Sequence, residues 1–238
     1  MAEIHNKLAS FVDSLHYHEK NGPQIDPKKG CFPFITISRQ AGAGGNALAA
    51  VLEEKISKLH AEPLFRGWQI CGKQLRQMLS QDPALKDLVE SLRRTEYHSH
   101  AEDFLSQFIY GGSSQDVVIK KMFHLMRAFA IHGKVIFVGR GSPFLTRNLP
   151  LGIHVRLVAS MESRVNRMMP GFGPDPKKVR KVIEEKDKAK AELVKTFFCK
   201  NIHDPLLYDA VWNTDRIPIP EIAKLLIEMI RDKAAGVF

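Results

Sequence analysis

The sequence predicts an α/β fold in which a parallel sheet is covered on both faces by helices. Three observations carry this. Short apolar runs without polar alternation recur along the chain, as in strands buried on both faces. Between them lie stretches with apolar residues at helical spacing. Glycine-rich bends fall where such runs end, at Gly42 and again at Gly139-Arg140-Gly141.

In chain order, Ile4, Leu8, Phe11, Val12 and Leu15 predict an amphipathic first helix, ended by Asn21-Gly22-Pro23. With its connector it forms an appendage over 1–30, expected to dock on the core or to mediate homo-oligomer contacts with another copy of the chain. The main domain is 31–238. CFPFITIS (31–38) is the first strand, and Leu48, Val51, Leu52, Ile56 and Leu59 mark a helix over 46–59. A second strand is expected within 63–71, weakened by Arg66 and Gly67, and 72–131 is helical with breaks near Asp82-Pro83 and Gly111-Gly112. KVIFVGRG (134–141) and GIHVRLVAS (152–160) are further strands. PGFGPDP (170–176) reads as a hinge or loop, and a basic helix follows over 177–200 with Val179, Ile183, Leu193 and Phe197 as its apolar contacts. YDAVWNT (208–214) is the fifth strand, and a helix over 220–233 closes the chain.

The chain of 238 residues is long enough for one well-buried core, and no window approaches the roughly 18 apolar residues of a membrane span. The start lacks an apolar stretch and a cleavage site, so a cytoplasmic location is expected. Cys31, Cys71 and Cys199 have no paired spacing, which argues for reduced thiols and against zinc. A formal charge of +9 favours anionic partners.

A strand-to-helix bend crowded with glycine turns backbone N–H groups inward, where the dipole of the following helix also favours an anion. Gly42-Ala43-Gly44-Gly45-Asn46-Ala47 fits the dinucleotide fingerprint G-x-G-x-x-A. The acid that reading needs, Glu62, precedes Pro63 instead of ending a strand, which weakens it. A modified P-loop is the competing reading.

SRQAGAGGNALA, VIFVGRGSPFL, GIHVRLVASMESRVNRM and DPLLYDAVWNTDR occur in that order. Together they resemble the cytidylate kinase-like family of P-loop phosphotransferases over nearly everything from Phe32 onward. The resemblance implies a three-layer P-loop kinase fold with a five-stranded parallel sheet, ATP and Mg2+ as cofactors, and phosphoryl transfer to a nucleoside monophosphate, CMP or dCMP by default. It also implies a helical acceptor-binding region near 72–132 and a lid near 168–200. Gly42, Ala43, Gly44, Gly45, Asn46 and Ala47 would hold donor phosphates, with Arg167, Thr214 and Asp215 on the donor side. Gly139, Arg140 and Asp187 would serve the acceptor side, and Arg39, Arg164 and Lys190 would carry charge at the transferring group. Asp187 and Lys190 resemble the family's D-x-x-R.

Several residues depart from the pattern. Gly45 stands where a P-loop lysine belongs, as is common in the family, and Ala47 stands where the magnesium-binding hydroxyl belongs. Another cation must then act, and Arg39 is the first candidate. Asn46 replaces an arginine frequent in the family, Gly141 removes the acid of Gly-Arg-Asp, and Lys190 lacks the guanidinium fork. All five changes point toward weaker catalysis, so a catalytically degenerate nucleotide-binding sensor or assembly protein is the alternative. His98 and His100 beside Glu96 lack a third ligand, no residue is assigned to a metal, and no nucleic-acid motif occurs.

Overall fold

The computed structural model describes residues 32–71 and 114–238, the side chains of 114–121 excepted. The expected appendage over 1–30, the helical stretch over 72–113 and the His98-His100 pair lie outside the described residues.

Five strands form one all-parallel sheet: β1 (Phe34–Arg39), β2 (Gln69–Cys71), β3 (Val135–Val138), β4 (Gly152–Val158) and β5 (Ala210–Asn213), in the order β2-β3-β1-β4-β5. The register sets Ile35 opposite Ile136 and Ile153, and Ser38 opposite Arg156. The helices are α1 (Gly45–Lys58), α2 (Ser114–His132), α3 (Ser142–Leu145), α4 (Met161–Phe172), α5 (Pro176–Phe198) and α6 (Ile219–Ala234). Among the described residues the expected strands and helices form, with ends moved by a few residues. The second strand is only three residues long and sits at a sheet edge, in keeping with Arg66 and Gly67 before it.

Alternation along the strands divides the core. Ile35, Ile37, Ile153, Val155 and Leu157 face α1 and α6, meeting Leu48, Leu52, Ile222 and Leu226. Phe34 and Phe137 face the other layer, with Met126, Phe129 and Phe198. Sheet, helices above and helices below make the three-layer arrangement expected of alternating strands and helices. A third cluster of Ala41, Val165, Val179 and Ile183 holds α4 and α5 against the loop after β1.

Two sequence expectations need correction. Pro170 is not in a loop: α4 continues through it to Phe172, and the helix stops where Gly173 takes φ +96°. A proline in the last turn forfeits one backbone bond near an end where few remain to lose. The buried contacts in the last turns of α5 are Val194 and Phe198, with Leu193 and Phe197 only partly buried.

Beyond Phe34, the second face of β1 and β4 is polar although buried. Thr36 Oγ1 lies 2.8 Å from His154 Nδ1, and the Asp209 carboxylate accepts from the His154 amide at 2.6 Å. Burial pushes the His154 imidazole down to about 4, with Asp209 opposing and Lys233 and Arg147 adding. The unfolded value is near 6.5. A depressed histidine leaves its stability intact above pH 6.5 and lost progressively as pH falls toward 4, here on the order of 3 kcal/mol. Urea unfolding at pH 7 and pH 4.5 measures this: the H154N variant should lose markedly less stability between the two than the parent chain, and equal losses would refute the assignment.

Candidate active site at the carboxyl ends of the strands

The loop after β1 turns through Gly42 (φ +81°) and Gly44 (φ +91°), and α1 begins at Gly45. Both glycines have a left-handed backbone that other residues adopt only with strain. At Gly42 space is also short, since a Cβ there would come within 2.7 Å of the Arg164 carbonyl oxygen. The α1 N-terminus has no side-chain cap, and the N–H groups of its first turn have no intrahelical acceptor. Gly44 to Ala47 therefore present amides and a positive dipole end to the space above the sheet.

Arg39, the last residue of β1, lies across this loop. A Cβ on Gly45 would meet the Arg39 Cγ at 2.8 Å, and a Cβ on Gly139 would overlap the Arg39 guanidinium. The arginine thus occupies the room a side chain at position 45 would need, and reaches from the loop to the end of β3. Among the described residues its guanidinium makes no hydrogen bond or ion pair. Burial lowers its pKa, Arg140 lowers it further and Asp187 opposes, so positive charge is crowded here without full compensation. An arginine remains protonated under such pressure.

Gly139, Arg140 and Gly141 all have positive φ, 78°, 64° and 72°. Arg140 is the strained member, since a left-handed non-glycine residue costs about 1 to 3 kcal/mol and such residues cluster at functional sites. Gly141 abuts α5: a Cβ there would lie 2.6 Å from Phe198. No acid fits at 141 while Phe198 holds that position.

α5 supplies the anchor. Val179, Ile183, Val194 and Phe198 mark its buried stripe, and Asp187 and Lys190 interrupt that stripe where it crosses the loop. Asp187 accepts from the Ala41 amide at 2.7 Å, from Lys190 at 3.0 Å and from Arg164. Burial pushes its carboxyl up, but the Ala41 amide, Lys190 and Arg164 outweigh this and hold it below the ordinary carboxylate value. Lys190 also reaches toward the Arg39 carbonyl at 3.5 Å. Burial lowers its pKa against the pull of Asp187.

Arg164 is buried behind the loop, donating to Asp187 and, at 3.4 Å, to the Ala41 carbonyl, while its Nε is buried without a partner. Arg167 donates to the Thr214 hydroxyl at 2.7 Å and carbonyl at 2.9 Å, and approaches Asp215 at 3.4 Å and the Gly42 carbonyl at 3.5 Å. Asp215 accepts from the Ser160 amide at 2.7 Å instead of capping α6, whose N-cap is Pro218. Asn213 does not cap α6 either, since its Oδ1 accepts from the Asp215 amide. Asn46 and Ala47 are exposed at the start of α1.

Arg39, Gly139, Arg140 and Lys190 line one cavity of about 310 Å³, together with Phe144, Leu193 and Ile202. Arg164, Arg167, Thr214 and Asp215 stand apart from it, around the back and flank of the glycine loop. Ser38 borders the cavity as well, a residue that sequence reasoning missed because a serine in a buried strand carries no motif. Among the described residues no group of three or more His, Cys, Asp or Glu could hold a metal ion, and no helix is long and apolar enough to cross a membrane.

A family model described as the cytidylate kinase-like family matches residues 34–216. No curated protein matches the chain. Among solved structures, an uncharacterized protein from Eubacterium ventriosum superposes with a TM-score of 0.62 at 16% identity, covering 84% of this chain and 98% of that one. A shikimate kinase from Bacteroides thetaiotaomicron gives 0.43 at 15% identity, covering 84% and 98%. The shikimate kinase from Acinetobacter baumannii, in complex with shikimate, gives 0.42 at 13% identity, covering 84% and 94%.

Replacing Asp187 by Ala should lower stability at pH 7 by about 2 kcal/mol, because it strands Arg164, Lys190 and the Ala41 amide together. A depressed carboxylate contributes fully above its ordinary value near 3.8 and loses the contribution as pH falls below it. The two proteins should therefore converge in urea-unfolding stability toward pH 2.5; a constant gap would show that Asp187 acts by packing alone.

Proposed function

The chain belongs to the cytidylate kinase-like family, and we propose that it transfers the γ-phosphate of ATP to a nucleoside monophosphate, CMP or dCMP being the first acceptors to test. The observation that carries this is the guanidinium of Arg39, without a hydrogen-bond partner among the described residues, laid over Gly45 beside the uncapped N-terminus of α1. A P-loop lysine at 45 would bring a cation to the donor phosphates from the start of α1. Here the cation comes from the end of β1, and its path requires that position 45 have no side chain.

Phosphoryl transfer depends on positioning and positive charge more than on covalent help from the protein. The amides of Gly42 and of Gly44 to Ala47 hold the donor phosphates, with Arg39 across the transferring group; the Ala43 amide does not take part, because it donates to the Gln40 carbonyl at 3.2 Å and closes the turn instead. Arg140 and Lys190 meet the acceptor phosphate from the opposite side of the cavity. An acceptor phosphate oxygen forms the new bond to the γ-phosphorus while the bond to the β–γ bridging oxygen breaks, and ADP leaves. No strong base is needed, so Asp187 positions Lys190 and the loop instead of removing a proton. On the donor side, Arg167, Thr214 and Asp215 fix the loop past which the adenine lies, and Arg164 steadies Asp187.

Magnesium, when bound, neutralises charge on the β- and γ-oxygens. The donor set fits a metal carried by the nucleotide: Ala47 offers no hydroxyl and the Asp187 carboxylate is engaged by three donors. This chain's residues would then leave the metal to be held through the nucleotide and water. Ala47 also favours the second reading, a nucleotide sensor without turnover. The packing of Phe198 against Gly141 further separates this site from one in which an acid after the arginine holds the acceptor.

An ADP-release assay with ATP and a panel of nucleoside monophosphates tests the proposal. Turnover with any acceptor supports it, whereas nucleotide-dependent thermal stabilisation with no turnover supports the sensor. In the active protein, R39A should reduce the rate by about one to two orders of magnitude, the worth of a charged hydrogen bond at the transferring group. Adding G45K to R39A should restore part of that loss, while G45K alone should harm the enzyme by displacing Arg39. Equal rates for R39A and the parent chain would remove Arg39 from the site. R140A should raise the acceptor KM far more than the ATP KM, and an unchanged acceptor dependence would exclude its proposed role.

A further inference from the structure

A buried arginine beneath the cavity has no part in the scheme above. Arg156, in the middle of β4, is 3% exposed and in register with Ser38 of β1. Its Nη1 donates to Ser38 Oγ at 2.9 Å, its Nη2 lies 3.4 Å from His203 Nδ1, and its guanidinium sits 5.7 Å from the Tyr208 ring centroid. Among the described residues no carboxylate pairs with it. A guanidinium buried without a counter-ion is strongly unfavourable, so its charge is available to any anion that enters nearby.

Ser38 connects the two. It is 4% exposed and borders the cavity with Arg39, Arg140 and Lys190. Counting protons fixes its role. The Tyr208 hydroxyl donates its only proton to the Ile202 carbonyl at 2.9 Å, and Ser38 Oγ accepts from Arg156. The serine proton is left over, and among the described residues its acceptor is the Tyr208 oxygen, 3.2 Å away. Bonding to the guanidinium also polarises the hydroxyl and strengthens it as a donor.

We infer that Ser38 donates a hydrogen bond to a phosphate oxyanion of the acceptor, and that Arg156 is the positioning residue that orients and polarises this hydroxyl from behind. The inference rests on the reading of this cavity as the acceptor's. It adds a neutral donor, backed by a buried charge, to the cations already lining the cavity.

The test is a titration of the full chain with inorganic phosphate at constant ionic strength, read by thermal stabilisation, with and without a non-hydrolysable ATP analogue to fill the donor side. S38A and R156M should each weaken phosphate binding about tenfold, the usual loss for a single hydrogen bond to a charged group. The S38A/R156M double variant should be no weaker than either single variant, because both act through one hydroxyl. R156K, which keeps the charge, should recover part of the affinity and serves in place of R156M if that variant does not fold. In turnover, S38A should raise the acceptor KM and leave the ATP KM unchanged. Unchanged phosphate affinity in S38A, additive losses in the double variant, or no phosphate binding by the parent chain would each overturn the inference. Failure of the phosphotransferase reading has a separate sign, absence of ADP release by the parent chain, because phosphate binding is measured without turnover.

Discussion

The arrangement above the sheet depends on one carboxylate. Asp187 interrupts the apolar stripe of α5 where the helix crosses the glycine loop, and three donors from three parts of the chain converge on it: the Ala41 amide, Arg164 and Lys190. Without it, two cations and a backbone N–H would face one another in a partly buried space, and each would oppose the others. With it, α5 is pinned to the loop by polar contacts while Val179 and Ile183 on one side and Val194 and Phe198 on the other supply apolar burial.

Cations gather around this acid. Arg39, Arg140 and Lys190 border the cavity, Arg164 stands behind Asp187, and Arg156 is buried behind Ser38. The pKa of Arg39 and of Lys190 is pressed downward, burial being the largest contribution and neighbouring cations adding to it. A site kept positive and partly dry binds anions strongly, because charges interact more strongly where water is excluded. The strained backbone at Arg140 belongs to the same pattern, since the bend aims its side chain at the cost of local stability.

The missing P-loop lysine looks like a loss in a linear comparison. In three dimensions the room that lysine would need is occupied by Arg39. Gly45 has no side chain where Arg39 crosses, and Gly139 has none where the guanidinium ends, so two glycines far apart in the chain make the path for one arginine. A guanidinium on a strand end also differs from an ammonium on a helix, because its planar fork can bond two oxygens at once.

The sheet, its parallel sense and its helices on both faces were legible in the sequence, because buried parallel strands leave unbroken apolar runs and amphipathic helices leave a 3.6-residue period. The glycine loop was legible because a positive φ nearly demands glycine at Gly42 and Gly44. The basic helix and its contacts at Val179 and Ile183 were visible too, but its later turns were read onto Leu193 and Phe197 when Val194 and Phe198 are the buried pair, and the meaning of Asp187 was not visible. That the Asp187 carboxylate takes the Ala41 amide depends on where α5 lies over the loop, a packing result with no signature in spacing. The pairing of Ser38 with Arg156 depends on the β1–β4 register, and strand order cannot be read from either strand alone. The sequence by itself determined which elements form, since local propensity and periodicity act over a few residues. Only tertiary structure decided which polar groups meet in the site, since the Ala41–Asp187 and Ser38–Arg156 contacts join residues more than a hundred positions apart, one through the packing of a helix over the loop and the other through the order of strands in the sheet.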